Sequence, residues 1–334
     1  MCVFPGLDPV VKPRDDINPP RDDNNPPRDD NNNMELWIPL TIAAAFFQNI
    51  RSALQKHLQG KLSTFGAAYV RFLYAWPIAL IYFLAVIVIE RQPLPAFSID
   101  FVLYALLGGI CQIMFTVFLL WLFSFHNFAV GTTISKLETV MVAVFGLLLL
   151  GDQLTTAVII ALAMSTLGLV VLSAGQAKLS IANLVKGLWR LPTLIGLACA
   201  AWLGMSVVLF RAASLSLGLD SFLAAASFTL LIVLILQIAI MGIMIGVREP
   251  EQFKQLIRHW KPAALVGISG GLASIGWFSA FTLQNATYVR ALGQIELIFT
   301  FIVTLVFFRE KVSRPEIAGI SLITAAIILI LLSS

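Results

Sequence analysis

From residue 36 onward the chain is a succession of ten apolar runs, each about 20 residues long, and nothing else in it constrains the fold so tightly. They cover 36–55, 65–89, 100–124, 128–150, 153–174, 193–216, 221–247, 262–283, 286–308 and 315–333. A helix of that length rises 1.5 Å per residue and crosses a hydrocarbon core of about 30 Å. Apolar residues make up 59% of the chain and charged residues 12%, whereas soluble domains are about one-quarter charged. No soluble core could hide that much hydrocarbon. The runs are continuous, while a lipid-facing barrel strand alternates over about ten positions, so helices are expected. Joints as short as Phe125-His126-Asn127 and Gln284-Asn285 allow only antiparallel neighbours. The expected fold class is an all-α membrane protein of ten transmembrane helices.

Residues 1–33 are different in kind. They carry three copies of a seven-residue unit, PRDDINP, PRDDNNP and PRDDNNN. Proline, asparagine and paired charges bury no apolar surface, so a disordered low-complexity tail is expected. It has no apolar core of the kind a signal peptide needs. Met34 directly precedes the first span, so the segment is either a genuine extension or a misassigned start.

Several chemistries find no support in the pattern. Cys2, Cys111 and Cys199 are scattered, and His57, His126 and His259 fall in different loops or helix ends, so neither a disulfide framework nor metal-ligand spacing is present. Phosphate-binding loops, zinc-protease motifs and nucleophile elbows are likewise missing from the sequence. No cofactor, no metal and no enzymatic activity are expected.

The chain is internally duplicated. Asn127 and Asn285, Glu138 and Glu296, and Asp152 and Glu310 are each separated by 158 positions. The same ungapped offset sets Gly109 on Gly267, Phe123 on Phe281, Thr155 on Ser313 and Thr166 on Thr324. The earlier helices need an offset of 155, which places Lys56 on Arg211. Five spans per copy is an odd number, so the second copy enters the membrane in the opposite sense. The repeats are therefore inverted, an arrangement of secondary transporters with a site near the midplane between the halves. The expected division is a tail at 1–33, a first repeat at 36–174, a linker at 175–192 and a second repeat at 193–333.

Each half closes with a glutamate deep in its fourth helix, an acidic residue in the following tight loop, and a final helix rich in small residues. The segments are KLETV with GDQLT, and QIELI with REKVS. This paired pattern resembles the EamA domain of the drug/metabolite transporter superfamily over residues 34–334. Proline often follows the fourth-helix glutamate in that pattern, whereas Thr139 and Leu297 stand here. The resemblance implies a ten-helix carrier for small metabolites, amino acids or drugs, working without ATP or a bound cofactor.

An ionisable side chain at mid-membrane costs a few kcal/mol unless it is paired or faces water, so it raises a functional hypothesis by default. Glu138 and Glu296 each lie about ten residues into their runs, roughly 15 Å deep by the helical rise. They read either as substrate-amine ligands or proton carriers, or as structural groups that cap a neighbouring helix or pair with a basic side chain. On a continuous helix Lys136 lies about 160° around from Glu138, and Arg290 about 120° from Glu296. Neither cation is thus expected to pair with the glutamate of its own helix, and the glutamates read as symmetric cavity or packing positions. Gly293, Glu296, Thr300 and Thr304 form one small or polar stripe, which equally suits helix packing. Arg71, flanked by Tyr69 and Tyr74, could bind an anion or reach the interface. The candidate translocation path is Glu138, Glu296, Lys136, Arg290, Arg71, Gln294 and Thr300. Gln48, Asn49 and Gln112 add polar atoms to the first half, and Gln237 reads as a packing residue. Trp37, Trp189 and Trp260 read as interface anchors, while Trp76, Trp121, Trp202 and Trp277 read as core or cavity wall.

Deep basic residues Arg51, Arg71, Lys136 and Arg290 outnumber the two glutamates, a lean toward substrates bearing a carboxylate or phosphate. Lysines and arginines crowd the loops after odd-numbered spans, which by the positive-inside rule sets both termini outside the cytoplasm, whereas the resemblance implies termini inside. The chain is expected to be a multi-pass protein of the bacterial inner (plasma) membrane, a gradient-coupled exporter, partnered by a small-molecule substrate and the lipid bilayer and not by nucleic acid. A monomer is consistent with it. The alternatives are an intramembrane lipid-modifying enzyme, which needs a cluster of His, Asp or Ser at one face, and a receptor or scaffold, which normally carries a sizeable soluble domain.

Overall fold

The computed structural model describes residues 30–58, 61–122, 125, 134–176, 191–306 and 313–333. Asn127, Trp189 and Glu310 lie outside them, as do nearly all of the low-complexity segment and the 175–192 linker, and the side chains of Lys56 and Thr304. Every element among the described residues is helical. The first half contains α1 (Asp30–Leu58), α2 (Thr64–Leu73), α3 (Trp76–Glu90), α4 (Ile99–Leu122), α5 (Glu138–Leu150) and α6 (Thr156–Gln176). The second contains α7 (Leu191–Ser216), α8 (Phe222–Arg248), the short α9 (Glu251–Arg258), α10 (Trp260–Leu283), α11 (Ala286–Leu292), α12 (Ile295–Val306) and α13 (Arg314–Ser333). Counting α2 and α3 as one crossing, seven of these are long and apolar enough to span a membrane, and α5 is a shorter apolar helix.

Local chemistry sets the helix ends. The Ser63 hydroxyl accepts the Gly66 N–H at α2 (3.1 Å), and Ser221 accepts the Ala224 N–H at α8 (3.1 Å). Each satisfies an amide that helix geometry leaves without a partner. Gly151 stops α5 in the left-handed region at φ 67°, a conformation glycine adopts without steric cost.

Three of the expected spans are interrupted. The run at 65–89 breaks at Tyr74–Ala75 ahead of Pro77, whose ring cannot continue the preceding turn. The run at 128–150 turns at Lys136–Leu137, where the Leu137 N–H reaches the Ile134 carbonyl (3.0 Å). The run at 286–308 turns at Gly293–Gln294, where the Glu296 N–H donates to the Gly293 carbonyl (3.1 Å). The last two breaks fall at matching positions of the duplication. Glu138 and Glu296 therefore occupy the first turn of half-helices, not the middle of continuous ones.

Packing crosses between the halves more than it stays within them. The most extensive contacts are α6 with α13, α4 with α7, and α1 with α10. The first pairs the two final helices. The other two exchange under the duplication, since the first helix of each half packs on the third-span helix of the other. At the α6–α13 crossing a Cβ on Gly168 would lie 2.8 Å from the Gly319 carbonyl, and one on Gly319 would lie 2.5 Å from the Leu172 amide. Only glycine allows backbones that close. Apolar side chains turned outward, among them Val88, Leu148, Val247 and Leu332, form a surface suited to lipid. Trp37, expected at an interface, is instead 1% exposed. It belongs to the apolar cluster that includes Ile323 and Ile327, because α1 begins before it and carries it into the bundle.

Candidate functional site

The two breaks meet at the centre of the bundle, and there the deep charges pair crosswise. Glu138 of the first half forms an ion pair with Arg290 of the second. Glu296 of the second half forms one with Lys136 of the first. Neither glutamate pairs with the cation of its own helix, but each pairs with a cation of the other half, so they are ion-paired positions and not cavity or packing positions alone. Glu138, Arg290 and Glu296 are each under 9% exposed, while the Lys136 side chain is 38% exposed. The first turn of α5 and that of α12 suit a carboxylate, since free amides and the helix dipole make these termini electropositive.

A shell of polar groups holds Glu296. Gln48 Nε2 donates to its Oε2 (2.7 Å), Asn49 Nδ2 to its backbone carbonyl (2.9 Å), and Thr300 Oγ1 to that same carbonyl (2.9 Å). Trp277 Nε1 donates in turn to Gln48 Oε1 (3.0 Å), and its ring lies 4.7 Å from the Arg290 guanidinium carbon. Trp277 is thus part of the charged cluster rather than apolar packing alone. A Cβ on Gly293 would come within 2.5 Å of its ring, so the glycine at the α11–α12 break makes room for the indole. Gln294, the counterpart of Lys136 under the duplication, donates to Thr139 Oγ1 (3.2 Å) and again ties one half's break to the other half.

A cavity of about 230 Å³ opens against this cluster, lined by Gln48, Lys136, Glu138, Trp277, Arg290 and Glu296 together with residues of α2, α4 and α7. A second, mostly apolar one of about 490 Å³ lies beside it between α1, α4 and α12. Asn49, Arg51, Ser52, Arg71 and Leu119 line both and form the wall between them. Thr300 lines the larger one. Gln294 faces only a small void next to the ion pairs.

Arg71 points inward, donating to Thr116 Oγ1 (3.0 Å), and does not reach the interface. Arg51 is 8% exposed. Gln237 joins Gln112 (2.8 Å) and the Gly109 carbonyl (3.3 Å) in a buried polar contact next to Arg71. Arg211 serves structure, donating to the Phe281 carbonyl (3.0 Å) and the Gln284 carbonyl at the end of α10, where the dipole favours a cation. Among the described residues no group of three or more His, Cys, Asp or Glu converges.

On sequence Arg51 is one deep cation among four and Trp277 a core or cavity-wall residue. The signal for Arg51 was its place four residues after Phe47 on a helix whose polar residues Gln48, Asn49 and Ser52 bracket it.

This architecture and its duplicated pattern have a match. The EamA-like transporter family matches residues 35–174 and again 191–332. The chain belongs to that family. It is a membrane-spanning helical protein of the transporter type, built from two EamA repeats. No curated protein matches it. Among solved structures 27 chains match. One crystal structure, 16% identical, superposes with a TM-score of 0.64 over 89% of this chain and 96% of the other. That likeness concerns the fold alone.

Proposed function

We propose that this EamA-family protein is a secondary carrier of small metabolites, drawn from amino acids, organic acids and drug-like solutes. Ten helices form two inverted five-helix repeats that rock about the central cluster and expose it to each side of the membrane in turn. One observation carries the reading: each deep glutamate is neutralised by a cation from the opposite half, at the wall of a cavity. Pairs that join the halves must rearrange when the halves move, and a charged or protonated solute can exchange with them. The same exchange suits coupling to an ion gradient, and export is the direction we assign. A lipid-modifying enzyme would need a reactive cluster at one membrane face, whereas the polar groups here gather at the centre of the bundle.

The test is solute flux in proteoliposomes, after a thermal-shift screen of amino acids, organic acids, sugars and cationic drugs, because a ligand stabilises the state it binds. Glu138→Gln and Glu296→Gln are expected to lose most of the flux. Wild-type rates from both variants would remove the glutamates from the transport step. Reporter fusions at Ser334 assign the side of the membrane on which the chain ends.

A further inference from the structure

The deep cations are not equivalent, and their bookkeeping leaves a surplus. Lys136 is matched by Glu296, Arg290 by Glu138, and Arg211 by helix carbonyls. Arg71 has one neutral partner, the Thr116 hydroxyl, which itself donates to the Gln112 carbonyl (2.8 Å). Arg51 makes no ion pair among the described residues, and its buried Nε has no hydrogen-bond partner there. A guanidinium removed from water without a counter-charge is strongly unfavourable. Arg51 and Arg71 are also close enough to repel each other, and each feels Arg290, while the carboxylate near enough to attract Arg51 is Glu296, which is already paired with Lys136. Two like charges held together at a cavity wall favour an anion between them.

Their surroundings describe the rest of that anion. Both arginines stand where the polar and apolar cavities join. Beyond them the larger cavity is walled by Phe46, Ile50, Leu120 and Phe299, and at about 490 Å³ it has the size of a drug-like ligand site. Phe46, Ile50 and Ala53 are partly or largely exposed, so this lobe opens on the outer surface of the bundle beside α1.

Resting on the carrier reading, we infer that Arg51 and Arg71 form the binding site for the anionic head of an amphipathic solute, whose apolar body occupies the lobe between α1, α4 and α12. The head is a carboxylate or phosphate taken by the two guanidinium groups, which suit planar, bidentate recognition. Simple cations are excluded by charge. The chemistry is shared by a soluble organic acid and an anionic lipid headgroup reached through the open lobe.

The test is calorimetric titration of the purified full-length chain in detergent with 4-phenylbutyrate and with 4-phenylbutylamine, which has the same body and the opposite charge. Saturable binding of the acid and none of the amine is expected. Arg51→Gln and Arg71→Gln each weaken acid binding by about 10- to 100-fold, the usual worth of one charge-assisted contact. Ala53→Trp, on an exposed position of the lobe, weakens 4-phenylbutyrate more than propionate and does not depend on removing a buried charge. Repeating the titration in nanodiscs with and without phosphatidylglycerol separates the sources: competition assigns a lipid headgroup, and its absence a soluble acid. Equal binding of acid and amine overturns the inference, as do arginine variants that melt and bind like wild type. Binding is read without a gradient. Arginine-dependent binding without 4-phenylbutyrate flux in proteoliposomes counts against carriage of this solute class and keeps the site, whereas carriage of a cation without anion binding does the reverse.

Discussion

Glu138 is bonded to Arg290, a residue 152 positions later on the other copy of the duplication, and both side chains are shut away from solvent. The Lys136–Glu296 pair repeats this relationship with the sign of the halves exchanged. Two charged pairs of opposite direction therefore tie the repeats together at one level of the bundle, next to the cavity. Each half contributes one cation and one carboxylate, and each of these charges finds its partner across the halves rather than within its own.

The buried pair should show strong energetic coupling. Glu138→Gln leaves Arg290 charged and unmatched, and Arg290→Gln does the same to Glu138, each costing about 3 to 5 kcal/mol by the behaviour of buried pairs. The double variant removes both charges and should melt well above the sum of the single losses, a non-additivity that a double-mutant cycle isolates. Thermal unfolding of the four purified proteins measures it. Additive single effects would mean that the two side chains do not depend on each other.

The membrane-spanning helical class, the duplication and the identity of the deep charges were legible because hydropathy and spacing are properties of the chain itself, while of the ten expected spans seven are long and apolar enough to cross a membrane among the described residues. The crosswise pairing was not, and the reason is specific. The angles separating Lys136 from Glu138 and Arg290 from Glu296 assume an unbroken helix, but turns at Lys136–Leu137 and Gly293–Gln294 separate each cation from its neighbouring glutamate. Pro77 marked one interruption in the sequence. Gly293 was a weaker mark, and at Lys136–Leu137 the run continues without glycine or proline, so periodicity saw a single helix. Arg51 was visible as a charge in α1, yet that it makes no ion pair among the described residues is seen only once its neighbours are assembled.

Gly293 should be intolerant of any side chain. Gly293→Ala places a methyl within 2.5 Å of the Trp277 ring, and overpacking of this kind costs about 1 to 3 kcal/mol. The displaced indole would also lose its bond to Gln48 and its stacking on Arg290. Loss of thermal stability together with loss of flux is expected. Gly319→Ala, at the α6–α13 crossing and outside the lining of either cavity, should lower stability while flux per folded molecule persists.

Asp152 lies in the loop after α5, and burial raises its carboxyl above the ordinary aspartate value, opposed in part by Arg211. Its Oδ2 is buried without a partner among the described residues. A raised acid pKa in the folded state means that the folded protein binds the proton more tightly than the unfolded chain. Its contribution to stability is complete below the unfolded value and is lost as the pH rises through the folded one. Wild type should therefore gain stability on acidification across the window just above the ordinary carboxylate range. Asp152→Asn should remove that gain without lowering stability at neutral pH. Melting curves of both proteins over that range test the sign, and a wild-type slope that survives in the variant would assign it to another group.

Ser52 offers a direct view of the cavity wall. It is exposed, it lies on α1 next to Arg51, and it lines both cavities. Cys111 and Cys199 are buried, at 6% and 0% exposure, so a thiol reagent in solution has little access to them. In a Cys2→Ser background, Ser52→Cys should therefore be the dominant site for a charged thiol reagent. An anionic sulfonate reagent should react faster than a cationic ammonium reagent of similar size, because Arg51, which makes no ion pair among the described residues, and Arg71, bonded to the neutral Thr116 hydroxyl, raise the local potential. Adding Arg51→Gln should narrow that ratio. If the carrier alternates, reagent supplied from one side of sealed vesicles should label the cysteine at a rate that changes with the imposed gradient. Rates equal for both reagents would argue that the wall is not electropositive, and a rate indifferent to the gradient would argue that the halves do not rock.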